Sequence, residues 1–221
     1  MSAKSEILGR IRTALADVPD MTPVDDVPVP WEFGQAVNLP GNGEILDVFV
    51  DAVEDYKAVV VRCPASELPQ EIARGLRATG ATGVIVPDGL DPAWLVAADD
   101  MVFTMEAGEL LSPQELNRID AVVTAAAVGV AETGTIVLDH SPDQGRRALS
   151  LVPDRHICVL RADQVVSGVP EAVALLRPAV EAGQPLTWIS GGSATSDIEL
   201  TRVEGVHGPR QLYVILVQEG L

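Results

Sequence analysis

The residues best suited to chemistry lie in two short, glycine-containing segments near the C-terminal end of the chain. Residues 191–199 read Gly-Gly-Ser-Ala-Thr-Ser-Asp-Ile-Glu after a strand-like run, and residues 205–209 read Gly-Val-His-Gly-Pro. The glycine pair lets the backbone turn with positive φ and approach a ligand closely, and successive amides in such a turn form a concave surface of donors. This pattern predicts a binding loop for phosphate or carboxylate. The predicted ligand-binding residues of the loop are Gly191, Gly192, Ser193, Thr195, Asp197, Glu199 and Gly208.

Some residues of these segments have a second interpretation. Ser196 and Glu199 fit the Ser-x-x-Glu capping box that opens a helix, and we favour the capping role for Glu199. A helix that begins here would stabilise a bound anion by about 0.3 to 1 kcal/mol. His207 lies in a tight turn, where it is suited to donate to a ligand or to act as an acid near neutral pH. The alternative for the first segment is a strand-to-turn connection whose Ser and Thr only satisfy backbone groups.

A second candidate site follows an apolar run in the middle of the chain, where residues 131–138 read Ala-Glu-Thr-Gly-Thr-Ile-Val-Leu. Glu132 is the strongest candidate for catalysis, as a base or as a nucleophile, and Thr133, Gly134 and Thr135 are candidate ligand contacts. The alternative for Glu132 is a carboxylate that accepts local backbone hydrogen bonds and orders the turn. Ligands of open α/β sheets bind outside the strand ends, so we expect this segment and the glycine loop to converge on one cleft.

Arginine and histidine residues supply the remaining candidates. Arg146 and Arg147 are adjacent, and a guanidinium matches carboxylate or phosphate bidentately. We expect one of the two to be solvated at a helix start and Arg147 to face the pocket. His156 is expected to orient a loop through a hydrogen bond at a strand start, and His140 to lie in a surface turn. The spacing of the three histidines resembles no zinc motif, so no metal site is predicted.

Composition limits the possible partners and the compartment. The 221-residue chain has 32 acidic against 15 basic residues, a net charge of −17, which disfavours nucleic acid and anionic membrane surfaces as partners. Its two cysteines lie in apolar runs without Cys-x-x-Cys spacing and are expected to be buried, reduced thiols. Two cysteines cannot ligate an iron–sulfur cluster alone. No secretory signal or membrane span is predicted, and we expect a cytoplasmic protein.

Apolar periodicity predicts alternating helices and strands. Alternation of this kind builds a mostly parallel sheet with helices on both faces, a three-layer α/β/α architecture. The run 121–129 lacks polar alternation and is predicted to be a central, fully buried strand. Helices are predicted at 5–16, 42–55, 67–79, 113–118 and 171–181, and strands at 57–63, 83–87, 101–104, 121–129, 135–138, 155–160, 186–190 and 212–217.

The N-terminal part of the chain has a different character. Between residues 19 and 40 lie several prolines among acidic and small residues, too polar and too broken for regular structure. We therefore predict a helix and proline-rich arm over residues 1–40, and an α/β domain over residues 41–221. An amphipathic helix on such a tether is suited to contact a neighbouring subunit in a homo-oligomer, and a tail without a role is the alternative.

Four segments together resemble the lactate utilization protein C family, whose members carry a LUD domain. They are Ala-Glu-Thr-Gly-Thr at 131–135, Pro-x-x-His-Ile at 153–157, Gly-x-Ser-x-Thr-x-Asp-Ile-Glu at 191–199 and Gly-Val-His-Gly-Pro at 205–209. The resemblance implies a fold similar to the sugar-phosphate isomerase and CoA-transferase group. Gly192 and Ala194 replace the proline and arginine usual in this loop. Either Arg146, Arg147 or Arg210 supplies the cation for an anionic ligand, or the ligand preference differs.

The resemblance implies one function, and the fold group implies another. The first is a subunit required for oxidation of L-lactate to pyruvate, which binds no cofactor itself and leaves redox chemistry to iron–sulfur partner proteins. The alternative is a stand-alone enzyme of the CoA-transferase, sugar-phosphate or ATP-using kind, in which Glu132 is the reactive carboxylate. A mass adduct on Glu132 after incubation with acyl-CoA thioesters would favour the second, and capture of cysteine-rich partners would favour the first.

Overall fold

The computed structural model describes residues 3–17, 45–108, 110–195, 203–204 and 208–218, with backbone only for 194–195 and 203–204. The chain divides into two compact units, Met1–Phe33 and Gly34–Leu221. In the first unit, α1 (Ala3–Ala14) has no buried residue, and Ile7, Leu8 and Ile11 of its apolar stripe are exposed. The predicted helix is thus confirmed about two residues earlier, whereas most of the predicted proline-rich arm lies outside the described residues.

The second unit contains the remaining elements. Its helices are α2 (Ile45–Asp55), α3 (Leu68–Thr79), α4 (Pro113–Leu116), α5 (Arg147–Leu151) and α6 (Val169–Glu181). Its strands are β1 (Val59–Cys63), β2 (Gly83–Pro87), β3 (Val102–Glu106), β4 (Ala121–Ala125), β5 (Val128–Val130), β6 (Thr135–Leu138), β7 (Arg155–Arg161), β8 (Val165–Val166), β9 (Thr187–Ile189), β10 (Ala194–Thr195), β11 (Val203–Glu204) and β12 (Gln211–Val217). No helix among the described residues is long and apolar enough to cross a membrane.

A six-stranded parallel sheet, in the order β1-β12-β7-β4-β2-β3, forms the centre of the described part of this unit. Successive side chains of a strand point to opposite faces. Ile157 and Val159 of β7 therefore pack on one face with α3, and Cys158 and Leu160 pack on the other face with α2. The predicted α/β fold with helices on both sides is confirmed. Strand β4 is fully buried and internal, as predicted for the run that begins at Ala121.

The run 121–129 is nevertheless two strands rather than one, and these strands belong to different sheets. Within the described residues, β5 joins a smaller mixed sheet in the order β8-β5-β6-β9. The chain leaves β4 at Ala126 and Ala127, whose carbonyls accept hydrogen bonds from Gln164 Nε2 at 2.8 and 3.2 Å. These carbonyls are satisfied by a side chain instead of a neighbouring strand, which allows the chain to change sheets.

The small sheet lies between α6 and the rest of the core. Val137 of β6 packs with Leu176 of α6, whereas Ile136 and Leu138 pack with Phe49 of α2 and with the main sheet. Both faces of β6 are therefore apolar, although the strand is only four residues long. This packing fixes β6 and β9 beside the main sheet, and polar residues follow where β9 ends.

Candidate functional site

The two polar segments meet at one end of the β6–β9 pair. The strands are antiparallel with Ile136 opposite Ile189, so the start of β6 adjoins the end of β9. Thr135 Oγ1 lies 2.8 Å from Ser190 Oγ, and Thr133 Oγ1 lies 2.8 Å from Thr135 Oγ1. Three hydroxyl groups thus form a continuous hydrogen-bonded chain from the Glu132 segment to the residue before the glycine loop. The two segments therefore adjoin, whereas their convergence on one ligand cleft stays a prediction.

The glycine loop is held tightly against its neighbours. Gly191 has φ of 82°, and a Cβ atom there would lie 2.4 Å from Tyr56 Cβ. A Cβ at Gly192 would lie 2.5 Å from the carbonyl oxygen of Arg210. The Ser193 amide donates to the Pro209 carbonyl at 2.7 Å and is therefore consumed by the main chain rather than directed to a ligand. Both glycines are required for close packing, independently of any role in binding.

A cavity of about 280 Å³ adjoins this loop and the amino ends of β7 and β12. Its wall combines part of α5, strand β9 and the two predicted loop segments. It reaches from exposed Ser190 to His156, which is 1% exposed. None of the described residues that line it is charged. They are Ser150, Leu151, His156, Thr187, Trp188, Ile189, Ser190, Gly191, Gly192, Ser193, Gly208, Pro209 and Leu212.

His156 is the polar side chain at the buried end of the cavity. Its Nε2 lies 2.7 Å from Thr124 Oγ1, and none of the described residues offers its Nδ1 a hydrogen bond. Burial lowers the pKa of His156 to about 4, so the ring is neutral at pH 7. A buried polar atom without a partner is unfavourable by about 1 to 3 kcal/mol, and native proteins rarely leave one.

The environment predicted for His156 was wrong. A hydrogen bond that orients a loop was expected. The ring is instead buried on one face of the main sheet, where it pairs with Thr124 of the adjacent strand. The sequence did contain a signal, because His156, Cys158 and Leu160 alternate along one face of an apolar strand. A histidine in register with two core residues is expected to point into the core.

His140 was also misinterpreted, as a residue of a surface turn. It has φ of 61° and is half-buried, with Nδ1 2.8 Å from the Gly145 carbonyl and Nε2 2.8 Å from Thr187 Oγ1. A carbonyl only accepts, so Nδ1 donates to Gly145, and Nε2 shares the second hydrogen bond with the Thr187 hydroxyl. His140 therefore positions Thr187, one of the residues that line the cavity. No sequence pattern indicated this long-range contact.

Glu132 and the segment around it have a different environment. The Glu132 side chain is exposed, its amide donates to the Ser167 carbonyl at 3.0 Å, and the residue does not line the cavity. Gly134 has φ of 58°, and a Cβ there would lie 2.6 Å from the Ala52 backbone, so the turn packs closely on α2. The reactive role of Glu132 and the ligand contacts of Thr133, Gly134 and Thr135 stay predictions.

The two adjacent arginines differ sharply. Arg146 donates to both carboxylate oxygens of Glu106, at 2.8 and 2.7 Å, and to the Leu111 carbonyl at 2.6 Å. These hydrogen bonds hold the pKa of Glu106 below its usual value despite burial. Arg147 is exposed and begins α5, outside the cavity wall. The arginine that is solvated at the helix start is therefore Arg147, which was expected to face the pocket, and its contact with a ligand stays a prediction.

Other predicted site residues cannot be placed in the same way. Asp197, Glu199 and His207 lie outside the described residues, and Thr195 is described only as backbone of β10, paired with Val203. Within the described ranges, no group of three His, Cys, Asp or Glu residues is arranged to hold a metal ion.

The family is decided by a sequence model rather than by the site. The LUD domain model matches residues 46–217, which is most of the chain. The chain belongs to the LUD domain family. This match covers all three sheets of the described residues, from the second residue of α2 to the end of β12.

Similar proteins agree with this assignment. The chain is 50% identical to a lactate utilization protein C from Deinococcus radiodurans over 97% of its own length and 95% of the relative. It is 34% identical to a lactate utilization protein C from Bacillus subtilis over 44% of its length and 42% of the relative. The resemblance indicated by the four motifs is therefore confirmed.

A solved structure confirms the LUD fold independently. A crystal structure of a DUF162 family protein from Deinococcus radiodurans superimposes with a TM-score of 0.67 and 48% sequence identity. The match covers 78% of this chain and 96% of the other.

Proposed function

We propose that this protein is a subunit required for the oxidation of L-lactate to pyruvate in the cytoplasm, where it acts beside iron–sulfur partner proteins and binds a small anionic ligand. The observation that carries the proposal is the 50% identity to a lactate utilization protein C over nearly the whole of both chains. The shared LUD domain alone would support less, because one fold accommodates many functions.

The cysteines support the proposed division of labour with iron–sulfur proteins. An iron–sulfur cluster is ordinarily held by four thiolates, and this chain has two cysteines. Cys63 and Cys158 are both free and buried, as expected, and burial raises their thiol pKa values to about 11 and about 12. Such thiols are poor metal ligands because the thiolate is the ligating form. Electron transfer is therefore assigned to partner chains, and buried reduced thiols suit a reducing cytoplasm.

The cavity beside the glycine loop supports the proposal that the protein binds a small ligand. Sites for drug-sized molecules usually enclose about 300 to 1,000 Å³, so a cavity of about 280 Å³ suits a smaller metabolite. Ser190 and His156 place a hydroxyl and an imidazole group on its wall. These groups can donate hydrogen bonds to a carboxylate without carrying charge.

Growth of the host on L-lactate tests the proposed function. Deletion of the gene should abolish growth on L-lactate as sole carbon source and leave growth on pyruvate intact, and the wild-type chain supplied in trans should restore it. An affinity-tagged chain should co-purify with cysteine-rich proteins that contain iron and inorganic sulfide. Undiminished growth of the deletion strain on L-lactate would refute the proposal.

A further inference from the structure

We propose that the cavity is a site for short-chain monocarboxylates, in which neutral His156 donates its Nδ1–H to the ligand carboxylate. Ser190 provides a neighbouring hydroxyl group. The inference deepens the proposed function, on which it rests for its biological setting, by naming the ligand class and the side chain that binds it. The site itself is inferred from the cavity and from the buried, unpartnered nitrogen.

The first step concerns the place of His156. His156 is the second residue of β7, and Leu212, which pairs with it in the adjacent strand β12, also lines the cavity. His156 is 1% exposed, its Nε2 pairs with Thr124, and its Nδ1 is buried without a partner among the described residues. A ligand oxygen in the cavity supplies the acceptor that Nδ1 needs.

The second step concerns which ring nitrogen carries the proton. The Thr124 hydroxyl and His156 Nε2 share one hydrogen bond, and either group can donate it, depending on the tautomer of the ring. In the proposed arrangement the Thr124 hydroxyl donates to Nε2, and the proton of the neutral imidazole is on Nδ1. The Nδ1 hydrogen then faces the ligand.

The third step distinguishes carboxylate from phosphate. The described residues that line the cavity carry no charge. Among the nearby cations, Arg146 pairs with Glu106, Arg210 lies 3.6 Å from Asp154, and Arg147 is exposed outside the cavity wall. The penalty for desolvating an ion rises steeply with its charge, and neutral donors offset less of it for a dianion than for a monoanion. The uncharged part of the wall that the structure describes therefore favours a monocarboxylate over inorganic phosphate.

Nitrogen NMR of the intact protein tests the tautomer directly. Full-length protein labelled with ¹⁵N-histidine is recorded at pH 7 and titrated with L-lactate, pyruvate, acetate and inorganic phosphate. We expect His156 to be the Nδ1–H tautomer, and its Nδ1 resonance to move with each carboxylate and not with phosphate. An Nε2–H tautomer, a stronger response to phosphate, or no response to any carboxylate would overturn the proposal.

Calorimetric titration of variants measures the contribution of the side chain. His156→Leu should weaken L-lactate binding about 10-fold or more, since a hydrogen bond to a charged acceptor is lost. Thr124→Val should weaken it less, because it removes only the group that fixes the tautomer. Ser112→Ala, which removes the capping hydrogen bonds of α4 away from the cavity, is the control for general destabilisation and should bind as the wild type does.

The result separates this inference from the proposed function. If His156→Leu does not fold, the wild-type tautomer and its response to carboxylates still decide the question. If no carboxylate binds the protein while growth on L-lactate depends on it, the site is refuted and the proposed function stands. If L-lactate binds through His156 but the deletion strain grows on L-lactate, the proposed function is refuted and the site stands.

Discussion

The Glu132 turn and the buried end of the cavity, at His156, are built in opposite ways. In the turn the Glu132 carboxylate is exposed to water, although the backbone beneath it packs tightly on α2 through Gly134. In the cavity His156 is buried, neutral and, among the described residues, without a partner for one nitrogen. Water competes with any hydrogen bond in the turn, whereas a hydrogen bond in the cavity satisfies an otherwise unpaired atom. Residue type alone favours Glu132 as the functional residue, whereas environment favours His156.

The largest effect is expected where the Glu132 turn contacts α2. Gly134→Ala should reduce the free energy of unfolding by about 3 kcal/mol, because it forces a side chain into positive φ and against the Ala52 backbone. Gly183→Ala is a matched control, since Gly183 has φ of 77° with no atom within 4 Å of the added Cβ. It should reduce the free energy by about 1 kcal/mol. Urea unfolding of both variants measures the difference, and equal losses would contradict the close packing of the turn.

The next largest effect is expected at Arg146, the residue before α5. Helix α5 contributes part of the cavity wall. Arg146→Met should reduce the free energy of unfolding by about 2 kcal/mol, because Glu106, whose side chain is 4% exposed, loses its ion pair. The adjacent Arg147→Met changes an exposed residue and should stay within about 0.5 kcal/mol of the wild type. Urea unfolding at pH 7 compares the two variants. A larger loss for Arg147→Met would contradict the structural role assigned to Arg146.

Acid should reduce the free energy of unfolding by protonating Asp120, whose partners lie at the starts of β2 and β7, beside His156. Hydrogen bonds from the Gly83 amide and from Thr82 lower the Asp120 pKa from 3.8 to about 2, and Arg155, next to His156, lies 3.5 Å away. A carboxylate with a lowered folded-state pKa stabilises the protein above its unfolded pKa and loses that contribution as pH falls through the folded value. The stability difference between wild type and Asp120→Asn should therefore shrink between pH 4 and pH 2. A difference that is constant over this range would contradict the assignment.

The smallest effect is expected from the exposed carboxylate. Glu132→Gln should leave the free energy of unfolding within about 0.5 kcal/mol of the wild type, because the side chain is exposed. The same variant tests the stand-alone enzyme alternative. Wild-type protein incubated with acyl-CoA thioesters should show no mass adduct, and an adduct that disappears in Glu132→Gln would establish a reactive glutamate instead.

Local patterns predicted most helices and strands, but not the sheets to which the strands belong. Strands β2 and β6 were predicted with the bounds that the structure shows, because apolar runs with flanking turns are local signals. The division of residues 121–129 was not predictable, since it depends on Gln164, more than thirty residues away. An uninterrupted apolar run gives no indication of where the chain changes sheets.

The candidate site was predicted in outline and misjudged at its histidines. The approach of the Glu132 segment to the glycine loop followed from strand ends, and the Thr135–Ser190 hydrogen bond shows it. The importance of His156 could have been inferred from its alternation with core residues along β7. The contact of His140 with Thr187 could not, because it joins residues 47 positions apart through a turn with positive φ.

Calorimetric titration with L-lactate of wild-type protein, His156→Leu and Glu132→Gln tests the contrast between the two regions most directly. The account predicts that His156→Leu raises the dissociation constant about 10-fold or more and that Glu132→Gln changes it less than about twofold. The reverse order, with binding lost in Glu132→Gln and retained in His156→Leu, would contradict it.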